Sequence, residues 1–66
     1  MFKEFDIVMK SNREVGILIS FEGELRYNSF DEYGLAEFNG LVEDYQKGFW
    51  FGPLRKIDSL GKYYEN

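Results

Sequence analysis

Hydrophobic and polar residues alternate along the first third of the chain. Successive side chains of a strand point to opposite faces, so residues 5–10 predict a first strand. Its inward residues are Phe5, Ile7 and Met9, and its outward residues are Asp6 and Lys10. A clearer second strand covers residues 14–21 and places β-branched or aromatic residues on one face: Val15, Ile17, Ile19 and Phe21.

The middle of the chain is less regular. Residues 22–32 are interpreted either as a long loop or as a hairpin arm that extends the second strand. Residues 33–38 predict a third strand, and Asn39-Gly40 predicts a tight turn because both residues tolerate positive φ. Residues 41–45 either return as a strand or form an extended distal loop, and the sequence leaves both alternatives open.

Three consecutive aromatic residues mark the C-terminal part of the chain. They predict a strand with Phe49 and Phe51 on one face and Trp50 on the other. Pro53 ends this strand because proline has no N–H to donate to the sheet. Leu54 and Ile57 lie three residues apart, which predicts a 3₁₀ turn within residues 53–56. Residues 57–60 then predict a closing strand, and residues 61–66 a loose tail.

These elements predict an all-β fold, a single domain over residues 1–66, with about five antiparallel strands and the 3₁₀ turn before the last strand. The apolar positions on the inward faces form the predicted core. They are Phe5, Ile7, Val15, Ile17, Ile19, Leu35, Phe49, Phe51, Leu54 and Ile57.

The order and spacing of residues 5–10, 15–19 and 48–58 resemble the SH3-like barrel superfamily, which includes small bacterial and phage proteins. The resemblance implies a small SH3-like barrel but no particular activity. Eukaryotic SH3 domains bind proline-rich segments on an aromatic-lined groove. The residues of that groove are missing here, because the chain has one tryptophan, Trp50, and no tyrosine shortly after Pro53.

The composition explains how so short a chain could be stable. It has 66 residues with no cysteine and no histidine, so neither a disulfide nor a zinc site of the usual kind can brace it. It has instead 13 aromatic residues, 20% of the chain. Aromatic side chains bury large apolar areas, but 13 rings exceed what so small an interior holds. We therefore expect some of them at the surface.

The residue types present argue against catalysis, a metal and a cofactor. Neither a histidine base nor a cysteine nucleophile exists, and the four serines have no histidine to activate them. The adjacent acids Asp31-Glu32 and Glu43-Asp44 would diverge to opposite faces of a strand rather than form an acid/base pair. Residues 31–34 lack the spacing of a calcium loop, and no phosphate-binding glycine motif is present. We therefore expect a protein that is not an enzyme and carries no cofactor.

Charge is distributed unevenly. Residues 22–44 carry seven acids and one base, a net of −6, and the remaining residues carry five acids and seven bases, a net of +2. Such an acidic segment should repel nucleic-acid phosphates. The acids near the N-terminus argue against a signal peptide, and no apolar run is long enough to span a membrane. We expect a cytoplasmic protein that binds neither nucleic acid nor membrane.

The aromatic excess and the acidic segment coincide. Rings among carboxylates suit a basic protein partner, which cation–π contacts and carboxylates would hold. The predicted partner-binding residues are Tyr27, Phe30, Tyr33, Tyr45 and Trp50, with Glu32, Glu43 and Asp44. Trp50 has an alternative interpretation, in which it covers one end of the barrel. The favoured function is a non-catalytic protein–protein interaction module. The alternative is a small acidic phage-type inhibitor that occupies a nucleic-acid-binding groove of a host or defence protein.

Overall fold

The computed structural model describes residues 1–30 and 40–64. The elements in chain order are β1 (Asp6–Met9), β2 (Val15–Phe21), β3 (Glu24–Ser29), α1 (Val42–Gln46), a 3₁₀ turn (Phe49–Phe51), β4 (Arg55–Ser59) and α2 (Gly61–Tyr64). The strands form one antiparallel sheet in the order β3-β2-β1-β4. Among the described residues this sheet has four strands and does not close into a barrel. The predicted strand over residues 33–38 lies outside the described residues.

The ambiguous segment after β2 is a hairpin. Phe21 pairs with Glu24, so only Glu22 and Gly23 form the turn. Their φ angles are 53° and 80°, and positive φ at both central residues defines the type I′ turn that fits the twist of two strands. Over residues 22–30, the part of that segment that the structure describes, the hairpin alternative is therefore correct, and it places Tyr27 in the middle of β3.

The core lies on one face of the sheet and consists of Val8, Leu18, Tyr27, Tyr45 and Leu54. Leu18 and Tyr27 are cross-strand partners, and so are Val8 and Gly16. Cross-strand partners share a face of the sheet. A Cβ at Gly16 would come within 2.5 Å of the Tyr27 ring, so only glycine allows that ring to lie across β2.

The predicted core of β2 is on the opposite face. Val15, Ile17 and Ile19 are only half-buried, whereas Leu18 between them is fully buried. Asp6 was predicted to point outward, but it is fully buried. It lies on the same face of β1 as Val8, which is the face that packs into the core. β2 is apolar on both faces, so alternation alone could not decide which face meets the aromatic residues of β3 and α1.

Several other core predictions are wrong. Phe5, Phe49, Phe51 and Ile57 are exposed. Ile57 sits at an irregularity of β4, because Ile7 pairs with Asp58 while the next residue, Val8, pairs with Lys56. Such a bulge leaves one residue unpaired. The burial of Ile7 and Leu54 is confirmed, and Leu35 lies outside the described residues.

The segment from 41 to 60 also departs from its prediction. Residues 42–46 are neither strand nor extended loop but helix α1. Residues 49–51 are not a strand: they form the 3₁₀ turn, which the sequence placed at 53–56, and β4 begins already at Arg55. Helix α2 occupies the first part of the predicted tail. In the part of the chain that the structure describes, no helix is long and apolar enough to cross a membrane.

Candidate functional site: an aromatic ridge

Three large rings protrude from the turn between α1 and β4. Phe49, Trp50 and Phe51 are 56%, 52% and 62% exposed. We call these three residues the aromatic ridge. Single exposed apolar residues are ordinary on protein surfaces, whereas contiguous ones mark interaction sites. Phe5 and Phe30 are also exposed, but each is a single ring far from residues 49–51 in the sequence.

Two bulky residues of the ridge, Trp50 and Phe51, adopt the left-handed backbone conformation. The φ angles of Trp50 and Phe51 are 54° and 68°, a region that aromatic residues rarely adopt. Ser11 holds this conformation from the β1–β2 turn, since its N–H and its hydroxyl both donate to the Phe51 carbonyl, at 2.7 and 2.8 Å. Strained backbone of this kind persists only where the surroundings enforce it, and it is frequent at functional sites.

The ridge is joined to the core through stacked rings. The ring centroids of Tyr27 and Tyr45 are 5.2 Å apart, as are those of Tyr45 and Trp50, and Phe49 lies 5.9 Å from Trp50. A Cβ at Gly40 would come within 2.6 Å of Trp50 and 2.7 Å of Tyr45. Trp50 therefore has one side fixed on the core and the other side open to solvent.

A lysine lies beneath the ridge. The Lys10 ammonium is 5.5, 5.6 and 5.7 Å from the ring centroids of Tyr27, Tyr45 and Phe51. It pairs with the Glu14 carboxylate at 3.1 Å, and the Lys10 side chain is only 11% exposed. Glu14 also accepts a hydrogen bond of 2.7 Å from the Tyr27 hydroxyl. Three rings and one carboxylate thus surround this cation, and each of these contacts is attractive.

The pKa shifts describe the same arrangement. The hydrogen bond from the Tyr27 hydroxyl, with Lys10 adding to it, lowers the pKa of Glu14 although burial opposes the shift. Burial and the neighbouring Glu14 carboxylate raise the pKa of Tyr27 well above its ordinary value of 10.0. At neutral pH, Glu14 is therefore charged and Tyr27 is neutral. The sequence prediction missed Lys10 and Glu14 because alternation placed Lys10 outside; their i, i+4 spacing was the available signal.

The structure brings together three of the predicted site residues. Tyr27 and Tyr45 are buried, and Tyr45 stacks on both Tyr27 and the exposed Trp50. The acids Glu43 and Asp44 lie on α1 beside Tyr45, and Asp44 pairs with Lys47 at 3.8 Å.

The remaining predicted site residues lie elsewhere. Phe30 is exposed just after β3, outside this ring stack. Glu32 and Tyr33 fall outside the described residues.

Outside comparisons do not add to this geometry. No protein-family model, curated protein or solved structure matches the chain. Within residues 1–30 and 40–64, no three histidine, cysteine or acidic side chains are grouped so as to hold a metal ion. The proposed function therefore rests on the geometry of the surface.

Proposed function

We propose that this protein is a non-catalytic protein–protein interaction module and that the aromatic ridge is the centre of its contact surface. The observation that carries the proposal is the exposure of three consecutive aromatic rings by more than half, on a backbone tethered at Phe51. Tryptophan and tyrosine dominate the energetics of protein interfaces. Trp50 is the best-placed anchor because its inner side already rests on Tyr45.

Preorganisation supports the same conclusion. A side chain that is immobilised on binding loses rotamer entropy, and this loss weakens the complex. Stacking on Tyr45 restricts Trp50, and the two hydrogen bonds from Ser11 restrict the backbone of Phe51 before any partner arrives. A partner therefore meets a surface that is already ordered.

The proposed partner is a basic protein. Glu43 is exposed on α1, the helix whose Tyr45 supports Trp50. An arginine or lysine of the partner stacked on Trp50 would gain a cation–π contact, with carboxylates at the rim. The net charge of −6 over residues 22–44 supports a partner other than nucleic acid. The proposal also includes the cytoplasmic location and the SH3-like barrel. The antiparallel pairing of β1 with both β2 and β4 supports the resemblance to such barrels, although the four described strands leave the sheet open.

The test compares two exposed aromatic residues. Wild type, Trp50→Ala and Phe30→Ala, each carrying an affinity tag, are used to capture proteins from lysate. A captured protein that Trp50→Ala loses and Phe30→Ala retains is then purified and titrated by calorimetry. We expect Trp50→Ala to weaken its binding about 30-fold, since truncating a central anchor costs about 2 kcal/mol. Phe30 is 54% exposed, close to the exposure of Trp50, and is therefore the matched control.

Two outcomes would contradict the proposal. One is a set of captured proteins that the three forms bind equally. The other is a folded Trp50→Ala protein with wild-type affinity, which would show that the ridge is not the contact surface. Thermal unfolding of each variant is recorded in parallel, so that the second outcome is read from a folded protein.

A further inference from the structure

A second surface lies at the N-terminal end of α1. It is a groove of about 370 Å³ between the N-terminus, the start of β3 and the start of α1. Four apolar residues form its floor, and two glutamates form its rim. We call it the acid-rimmed groove; its residues are Phe2, Leu25, Leu41 and Val42 with Glu24 and Glu43.

The floor of the groove is continuous with the core. Phe2, Leu25 and Val42 are half-buried and pack against the core cluster from outside. An apolar side chain placed in the groove would therefore remove its own apolar surface and that of Phe2, Leu25 and Val42 from water. This burial stabilises the complex in proportion to the apolar area removed from water.

The edge of β3 offers a backbone donor beside this floor. The Tyr27 N–H donates to the Gly40 carbonyl at 3.0 Å, away from β2. N–H groups two residues apart in a strand point the same way. The Leu25 N–H therefore also points away from β2, towards the edge of the sheet that borders the groove. Leu41 already forms an antiparallel bridge with Arg26 on this edge, and an extended peptide could accept a hydrogen bond from the Leu25 N–H beside that bridge, as added strands do.

The charged side chains on the rim of the groove determine which ligand charge it attracts. Glu43 is exposed and has no ion pair with any residue in the described ranges. Glu24 pairs with Arg26 at 3.2 Å, but its side chain is 55% exposed, so solvent screens the pair and leaves it weak. Glu22 in the adjacent turn is exposed as well. Although Lys3 follows Phe2 in the chain and Arg26 pairs with Glu24, the exposed Glu43 carboxylate gives the α1 side of the rim a negative charge that favours a cationic group over a phosphate.

From these observations we infer that the acid-rimmed groove binds an extended segment of a protein partner that carries one large apolar side chain flanked by lysine or arginine. The apolar side chain fills the floor, a backbone carbonyl of the segment accepts from the Leu25 N–H, and the basic side chains meet Glu43 and Glu24. This site shares Glu43 with the rim proposed for the ridge but contains none of the ridge's aromatic residues, and it does not depend on the function proposed for the ridge.

The inference is tested with a synthetic probe and NMR. The probe is a short capped peptide with one phenylalanine between two pairs of lysines, titrated into ¹⁵N-labelled protein. We expect the amide signals of Leu25 and Val42 to shift. Replacing the phenylalanine by glycine, or the lysines by glutamates, should abolish the shifts.

Protein variants then locate the charge. Glu24→Gln with Glu43→Gln should weaken peptide binding about fivefold at low salt, as expected for the loss of two exposed charge interactions, and the difference should shrink at high salt. Glu22→Gln removes one nearby acid outside the groove lining and is the control; it should change binding less than twofold. Trp50→Ala should leave peptide binding unchanged, which separates this test from that of the ridge.

Four results would overturn the inference. The first three are equal binding of the glutamate peptide, shifts confined to residues other than those of the groove, and full affinity in the double glutamine variant. Concentration-dependent shifts of Leu25 and Val42 without peptide would identify a second copy of this chain as the occupant and would contradict the basic segment.

Discussion

Replacing Tyr27 by phenylalanine tests whether the buried group beneath the ridge stabilises the fold. The substitution removes the hydroxyl that donates to Glu14 at 2.7 Å and keeps the ring that packs on Tyr45. A hydrogen bond to a charged acceptor contributes about 1.5 to 3 kcal/mol. Glu14 keeps Lys10 at 3.1 Å, so its carboxylate is not left without a partner. We therefore expect Tyr27→Phe to lower the free energy of unfolding by about 1.5 kcal/mol at pH 7, the lower end of that range.

The effect should depend on pH with a definite sign. Glu14 has an ordinary pKa of 4.5, and the fold lowers it, chiefly through the Tyr27 hydroxyl. A carboxyl whose pKa is lowered by folding stabilises the protein above its unfolded pKa, and that contribution is lost as pH falls through the folded value. The deficit of Tyr27→Phe should therefore be full at pH 7 and should shrink once Glu14 is protonated in both proteins.

Urea unfolding of wild type and Tyr27→Phe at pH 7 and at the lowest pH where both still fold measures this difference. The double-mutant cycle with Glu14→Gln isolates the interaction between the two side chains. We expect a coupling free energy of about 1 kcal/mol at pH 7. If Tyr27→Phe costs less than about 0.5 kcal/mol at both pH values, or the coupling is zero, the hydroxyl does not stabilise the charged carboxylate.

Two further predictions concern the packing of α1 and the buried aspartate. Gly52→Ala should destabilise the protein by about 3 kcal/mol or more in urea unfolding, because its Cβ would lie 1.8 Å from the Tyr45 carbonyl oxygen. Gly23→Ala, which has positive φ but open space, should cost only about 1 kcal/mol; equal costs would refute the steric argument. Asp6→Asn should cost about 2 kcal/mol at pH 7, because buried Asp6 pairs with Lys56 at 3.4 Å. Burial opposes the shift, but the Lys3 N–H, Ser59 and Lys56 lower the Asp6 pKa below 3.8. The loss of stability in Asp6→Asn should therefore shrink in acid. An equal loss at pH 3 would contradict this account.

The sequence was informative where one signal dominated. Residues 5–10 and 14–21 were predicted as strands, and both contain one, because alternating or β-branched residues leave little competition from helix. The face of β2 could not be predicted, since Leu18 and its neighbours Ile17 and Ile19 are all apolar. That face is decided by Tyr27 and Tyr45, which arrive from distant positions in the chain.

The ridge shows a different limit of sequence reasoning. Three aromatic residues have a high strand propensity, yet Gly48 and Gly52 flank them on both sides. Gly48 adopts a φ of 104°, which a glycine reaches without strain, and the chain then turns where a strand was predicted. Local propensity indicated a strand, and the hydrogen bonds from Ser11, 40 residues away along the chain, supplied the competing tertiary contacts. Those contacts also make Phe49 and Phe51 surface residues rather than core.

Helix α1 links the ridge to the acid-rimmed groove. Five residues are too few for a helix to persist alone in water, so tertiary contacts must hold this one. Tyr45 stacks between the core and Trp50, Val42 lines the groove, and Gln46 exchanges hydrogen bonds with the Leu54 backbone at 2.7 and 3.4 Å. Because these contacts fix both surfaces at once, a substitution at Tyr45 or Gln46 would disturb both and could not assign binding to either. Trp50 lies at the outer end of these contacts and does not line the groove, which is why Trp50→Ala can separate the two sites.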